Sequence, residues 1–175
     1  RIISWAHVPD DRVVNIGNGV DASYCPNVIP CTPGYPYLLC VGNRKAHKNE
    51  ARVLDAFVKS EIDSDIRLVF TGNPSEELMN MCKKLNICDR IIFIGHINEK
   101  DMPGLYRGAI ALVFPSLYEG FGLPVVEAMA CGTPVITSKT TSLPEVAGDA
   151  ALLVEPTSID EIMIAIEQVC KDTSL

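Results

Sequence analysis

Short apolar runs alternate with stretches of helical apolar spacing through most of this chain. Tyr37–Val41, Arg67–Thr71, Ile91–Ile94, Ala111–Phe114, Val135–Thr137 and Ala151–Val154 are runs of three to five residues. Their continuous rather than alternating apolar character predicts strands covered on both faces. Between them, Asn49–Ser60 carries Val53, Leu54, Ala56, Phe57 and Val58 on a helical stripe. Ser75 ahead of Glu76 and Glu77 has the form of a helix cap with an acidic first turn. A short helix is predicted over Asp101–Gly108, with Pro103 and Gly104 in its first turn, and another opening near Leu123-Pro124. The final helix, Ser158–Lys171, places Ile159, Ile162, Met163, Ile166, Val169 and Cys170 at helical spacing. Upstream, Arg12–Ile16 is a short β-branched run closing in a Gly17–Asp21 turn, and Asn27–Pro36, with three prolines, is a loop.

Repeated strand–helix–strand units of this kind predict an α/β fold: one Rossmann-like domain over residues 1–175, a parallel sheet with helices on both faces. Ligands of such sheets sit outside the carboxyl ends of the strands. The turns at Gly42, Gly72, Gly95 and Gly120-Gly122 each follow a strand, so all four are expected on that one edge.

Composition narrows the function. With 175 residues, 47% hydrophobic and 21% charged, the chain is predicted to be globular with a substantial core. A net charge of −7 argues against nucleic acid as a partner. Seven scattered cysteines without CxxC spacing suit buried thiols in a reducing compartment better than a disulfide framework or a zinc site. The chain begins at Arg1, without initiator Met or signal sequence, and reads as part of a longer protein.

The richest segment runs from Pro115 to Ile136. Gly120 and Gly122 leave the backbone bare where the chain enters a helix, so the amides of Gly120, Phe121, Gly122 and Leu123 suit a diphosphate. Two acids beside such a cradle, Glu119 and Glu127, are unsuited to phosphate. They suit the hydroxyls of groups attached to it, a sugar and a ribose. After the first strand, Gly42-Asn43-Arg44-Lys45-Ala46-His47-Lys48 gathers three cations and a histidine on the same edge, where a basic cluster seeks an anion.

The Pro115–Ile136 run, with an acid, seven residues and an acid, resembles the signature of glycosyltransferase family 4 (glycosyl transferases group 1), in the nucleotide-binding half of GT-B enzymes. The resemblance extends from about Val8-Pro9 to the final helix. It implies the C-terminal, donor-binding half of a GT-B fold, whose acceptor site belongs to a separate N-terminal domain. Lys48 fills the family's phosphate-binding lysine position; the cation expected directly after Gly42 is replaced by Asn43, with Arg44 displaced by one residue. His96 and Ile97 match the loop that contacts the nucleobase, and Pro144-Glu145 matches a structural helix start behind the site. The Val-Gly…His-Lys-Asn form resembles a subset often active in bacterial polysaccharide assembly, frequently in mannosyl transfer.

The implied activity is retaining, metal-independent transfer of a hexose from a GDP- or UDP-linked nucleotide sugar to a glycan or lipid-linked acceptor, with no further cofactor. Lys48 and Glu119 are the expected catalytic residues, Lys48 stabilising the departing diphosphate and Glu119 orienting the hexose. Glu127 is expected on the ribose. The implied location is cytoplasmic, with peripheral association at the inner face of the membrane as an option. Two other classes stay open: a non-catalytic sugar-nucleotide-binding module, and another GT-B enzyme such as a sugar-nucleotide epimerase.

Two motifs are set aside. Gly17-x-Gly19-x-x-Ala22 mimics a dinucleotide fingerprint, but Tyr24-Cys25-Pro26 stands where a helix should open. Asp63-Ser64-Asp65 mimics a metal-binding DxD, but precedes a strand and so lies on the opposite sheet edge.

Overall fold

A computed structural model of the chain describes residues 7, 9–12 and 18–171. Six strands, β1 (Tyr37–Cys40), β2 (Arg67–Phe70), β3 (Ile91–Phe93), β4 (Ala111–Phe114), β5 (Val135–Ser138) and β6 (Leu152–Val154), form one sheet in the order β3-β2-β1-β4-β5-β6. Every pairing is parallel, with Leu39 opposite Val69 on one side and Leu112 on the other. Six helices are interleaved: α1 (Glu50–Lys59), α2 (Glu76–Leu85), α3 (Met102–Gly108), α4 (Leu123–Ala130), α5 (Leu143–Ala147) and α6 (Ile159–Lys171).

The apolar runs are continuous because the sheet is buried on both sides. Leu38, Cys40, Leu68, Phe70, Ala111, Val113 and Ile136 pack into one core with α1, α2 and α6. Their strand neighbours Tyr37, Leu39, Val69, Leu112, Phe114 and Val135 pack into a second core with α3, α4 and α5. The alternation is the two-residue period of a strand, with both faces apolar.

Local signals account for the helix starts. The Ser75 side chain accepts from the Leu78 amide at 3.2 Å, capping α2. Pro103, Pro124 and Pro144 stand in the first turns of α3, α4 and α5, where a missing N–H costs nothing. The segment ahead of α3 is a separate 3-10 turn over Glu99–Asp101, so that helix begins one residue later than the sequence predicts.

The β-branched run at Arg12–Ile16 falls mostly outside the described residues; Asp10–Arg12 is a 3-10 turn. Turns follow at Ala22–Ser23 and Cys25–Asn27, not the helix a dinucleotide fingerprint would need. Among the described residues no helix is long and apolar enough to cross a membrane.

The strand order places a topological switch between β1 and β4. The chain winds outward from β1 through β2 to β3, then returns to the middle and winds the other way. Sheets of this kind bind ligands in the crevice outside the carboxyl ends of the strands that flank the switch, here β1 and β4.

Candidate functional site

The two loops bordering this crevice are the Gly42–Lys48 segment after β1 and the Pro115–Gly122 turn after β4. They are fastened to each other. The Leu117 amide donates to the His47 carbonyl at 2.8 Å. Asn49, buried and left-handed at φ 62°, donates its side-chain amide to the carbonyls of Pro115 at 2.8 Å and Pro156 at 2.6 Å. Its backbone thereby ends the 3-10 turn Ala46–Lys48 and starts α1, and its side chain ties that junction to the far loop.

Lys48 and Glu119 are brought together by this arrangement. Lys48 Nζ lies 2.8 Å from Glu119 Oε1 and 4.7 Å above the Phe114 ring, and both side chains are about one-seventh exposed. The Glu119 turn is held from behind by the Ser142 hydroxyl, which donates to the carbonyls of Glu119 at 3.1 Å and Phe121 at 3.0 Å. Gly122 has φ +105°, and a Cβ there would press on Leu143. Only glycine suits that position. Gly120 differs: its φ is not left-handed and a Cβ there would meet nothing within 4 Å. The fold itself makes no demand for glycine at 120.

Glu127, half-buried one turn into α4, accepts the Tyr106 hydroxyl at Oε2, 2.7 Å away. Burial pushes the Tyr106 hydroxyl well above its ordinary pKa, and the Glu127 charge adds to the effect. Tyr24, whose ring centroid lies 6.0 Å from that of Tyr106, is pushed up to about 12, by burial first and then by Glu127.

Arg44 points elsewhere. In a left-handed conformation at φ 62°, it turns its guanidinium to Glu50, Nη2 to Oε1 at 3.0 Å, and donates to the carbonyls of Thr71 and Gly42. Its Cζ lies 5.2 Å from the Phe70 centroid and 5.8 Å from that of Phe93, two rings stacked on each other. The charge is thus matched inside the protein, under the loops of β2 and β3. Burial raises the Glu50 pKa despite the lowering by Arg44 and Lys48. The Glu50 carboxylate also occupies the space a Cβ at Gly42 would need, which explains the glycine there. Asn43 and Lys45 are exposed.

This frame matches a known family over most of its length. The family described as "Glycosyl transferases group 1" matches residues 28–175. The chain belongs to that family. O-antigen chain mannosyltransferase B of Escherichia coli is 34% identical over 188 residues, covering 99% of this chain and 49% of that protein. A solved C-terminal domain of a group 1 glycosyl transferase, LpcC of Francisella tularensis, superposes with TM-score 0.70 at 29% identity, over 83% of this chain and 78% of that one. Anabaena HepE in complex with UDP-glucose superposes with TM-score 0.72 at 23% identity, over 80% of this chain and 40% of that one, a likeness of fold. The chain spans about half the length of O-antigen chain mannosyltransferase B.

Within this group 1 domain the expected site residues separate into four groups, one of them Glu127 with its Tyr106 partner. Lys48, Glu119 and the Gly120–Leu123 turn meet at the switch point. Gly42 and Arg44 belong to the buried Glu50 pair beside it. His96 is exposed on the loop after the edge strand β3, beyond the bridge between Gly72 and Gly95, and Ile97 packs against the second core. Ile97 also lines, with Ile94, Leu105, Tyr35 and Val69, an apolar cavity of about 190 Å³. Asp63–Asp65 is a turn ahead of β2, at the amino ends of the strands.

Asn49, Glu50, Tyr106 and Ser142 were not expected in these roles. Asn49 and Glu50 read as the start of a helix, and Tyr106 as one residue of the short helix expected over Asp101–Gly108. Only Ser142, one residue ahead of a predicted helix, carried a polar signal in a recognisable place.

Proposed function

We propose that this domain binds a nucleoside diphosphate hexose at the switch-point crevice, as the donor half of a retaining, metal-independent hexosyltransferase that builds polysaccharide or lipopolysaccharide. The single observation that carries this reading is the Lys48–Glu119 pair, 2.8 Å apart at the carboxyl ends of β1 and β4. A cation there, next to a glycine turn with open space above Gly120, suits a diphosphate. Mannose is the favoured hexose because the curated relative is named an O-antigen chain mannosyltransferase. The UDP-glucose complex of HepE supports a nucleotide sugar as the ligand class.

In this reading the diphosphate enters between Lys48 and the Gly120–Leu123 amides, displacing Lys48 from Glu119. Negative charge grows on the diphosphate as the bond to the anomeric carbon breaks and the sugar becomes oxocarbenium-like. A fixed ammonium and oriented amides stabilise that charge more in the transition state than in the ground state. Glu119 then accepts hexose hydroxyls and Glu127 accepts ribose hydroxyls. Arg44 supports the loop from below and makes no contact with the donor. A second domain supplies the glycan or lipid-linked acceptor, whose hydroxyl attacks on the face the diphosphate leaves and gives its proton to the departing diphosphate oxygen.

The test is a panel of GDP-, UDP- and ADP-hexoses incubated with the full-length protein and acceptor glycan, reading which nucleoside diphosphate is released. Release from one class, GDP-mannose foremost, with a rate unchanged by chelator, is the expected result. No release from any donor contradicts the reading.

A further inference from the structure

The second acid of the site is held by a side chain from an element with no other role there. Tyr106 is 0% exposed in α3, and its hydroxyl donates to Glu127 Oε2 at 2.7 Å across 21 residues of sequence. That hydroxyl has little freedom to move. The Tyr106 carbonyl accepts from Thr133 Oγ1 at 2.8 Å, and the Leu105 carbonyl accepts from the Tyr37 hydroxyl at 2.7 Å. The end of α3 is thus fastened both to β1 and to the segment entering β5.

Among the described residues neither partner has another protein group competing for the bond. Tyr106 has a single proton to donate, and burial keeps it on the oxygen at any working pH. An ionised carboxylate offers about four lone-pair positions. With Oε2 engaged by Tyr106, the Glu127 carboxylate is fixed in orientation and retains acceptor positions on its half-buried side. A pair of adjacent hydroxyls needs an acceptor held in one plane, and holding it in advance lowers the cost of ordering it on binding.

We propose that Tyr106 is a positioning residue of the donor site: it fixes Glu127 against the 2′- and 3′-hydroxyls of a nucleotide ribose and so sets selection for ribonucleotides over deoxyribonucleotides. The inference rests on the reading of Glu127 as the ribose acceptor. It deepens that reading by naming the group that makes the acceptor selective.

The experiment measures the affinity of the full-length protein for GDP and 2′-deoxy-GDP, with UDP and 2′-deoxy-UDP as a parallel pair. Wild type, Tyr106→Phe and Glu127→Gln are compared by calorimetry. Phenylalanine keeps the ring and its packing, and circular dichroism at the assay temperature verifies the fold. Wild type should prefer the ribonucleotide about tenfold, close to the worth of one charge-assisted hydrogen bond. Tyr106→Phe should lose at least threefold of that preference while 2′-deoxy affinity stays within twofold. A Tyr106→Phe variant that weakens both nucleotides alike, or neither, overturns the positioning role. Full preference in Glu127→Gln, or none in wild type, would instead remove the ribose reading itself.

Discussion

Lys48 Nζ and Glu119 Oε1 meet at 2.8 Å although 71 residues separate them, one at the end of the loop after β1 and the other in the turn after β4. The pair spans the point where the winding of the sheet reverses. In the proposed donor site a diphosphate would take the place of this ion pair, and ligand and Glu119 would compete for one cation.

Replacing Lys48 removes the available cation. Lys48→Ala in the full-length protein should lower kcat by about 10²- to 10³-fold, the range for removing one preorganised charge stabiliser. Steady-state kinetics at saturating donor read this directly. Both side chains of the pair are mostly buried, so the variant should also lose some stability, and the rates are compared at a temperature below its melting transition.

Glu119→Gln separates the two roles of its partner. With the ion pair gone, Lys48 is available before the ligand arrives, and a negative charge next to the diphosphate is removed. Binding of a bare nucleoside diphosphate should tighten about fivefold, while hexose transfer falls, because the hydroxyls of the hexose lose their charged acceptor. Calorimetry with GDP and UDP beside a transfer assay distinguishes these opposite effects. A parallel loss in both would point to a structural acid.

The Arg44–Glu50 pair predicts a stability effect instead. Glu50 is 8% exposed, so Arg44→Ala leaves a buried carboxylate uncompensated and should cost about 3–5 kcal/mol. Urea denaturation measures it.

Glu50 also sets a pH dependence. Its native pKa is raised above the ordinary 4.5, chiefly by burial, so between the two values the native state binds more protons than the unfolded chain. Its contribution to stability therefore falls as pH rises through that interval. Glu50→Gln should remove this slope, and the variant should gain on wild type as pH increases from about 4 to 7. Denaturation across that range checks the sign.

Two glycines should fail for different reasons. Gly122→Ala meets both a left-handed φ of +105° and the Leu143 side chain, and should destabilise by about 1–3 kcal/mol. Gly42→Ala instead displaces the Glu50 carboxylate, so its cost should shrink in a Glu50→Ala background. A double-mutant cycle on melting resolves the difference.

The strands could be read from the sequence nearly to the residue, because four-residue apolar runs such as Tyr37–Cys40 and Ala111–Phe114 suit a doubly covered sheet. The cap at Ser75 and the glycine turn before α4 were equally plain, being local chemistry. The order of strands was not: nothing in β1 or β4 says that they are neighbours, so Lys48 and Glu119 were expected on one sheet edge and in one site but not as a direct ion pair. Arg44 shows the converse. Its place beside Gly42 suggested an anion site, but its partner is Glu50, an acid that reads as an ordinary first-turn helix residue. Tyr106 was hidden for the same reason, since a place in a short helix does not reveal which aromatic hydroxyl finds a carboxylate on another helix.

Calorimetric titration of this chain with GDP and UDP, repeated on Lys48→Ala, tests the donor-site assignment most directly. Saturable binding at millimolar concentration or tighter, weakened at least tenfold by the substitution, is the predicted result. Absence of binding by either nucleotide, or equal binding by the Lys48→Ala variant, would contradict it.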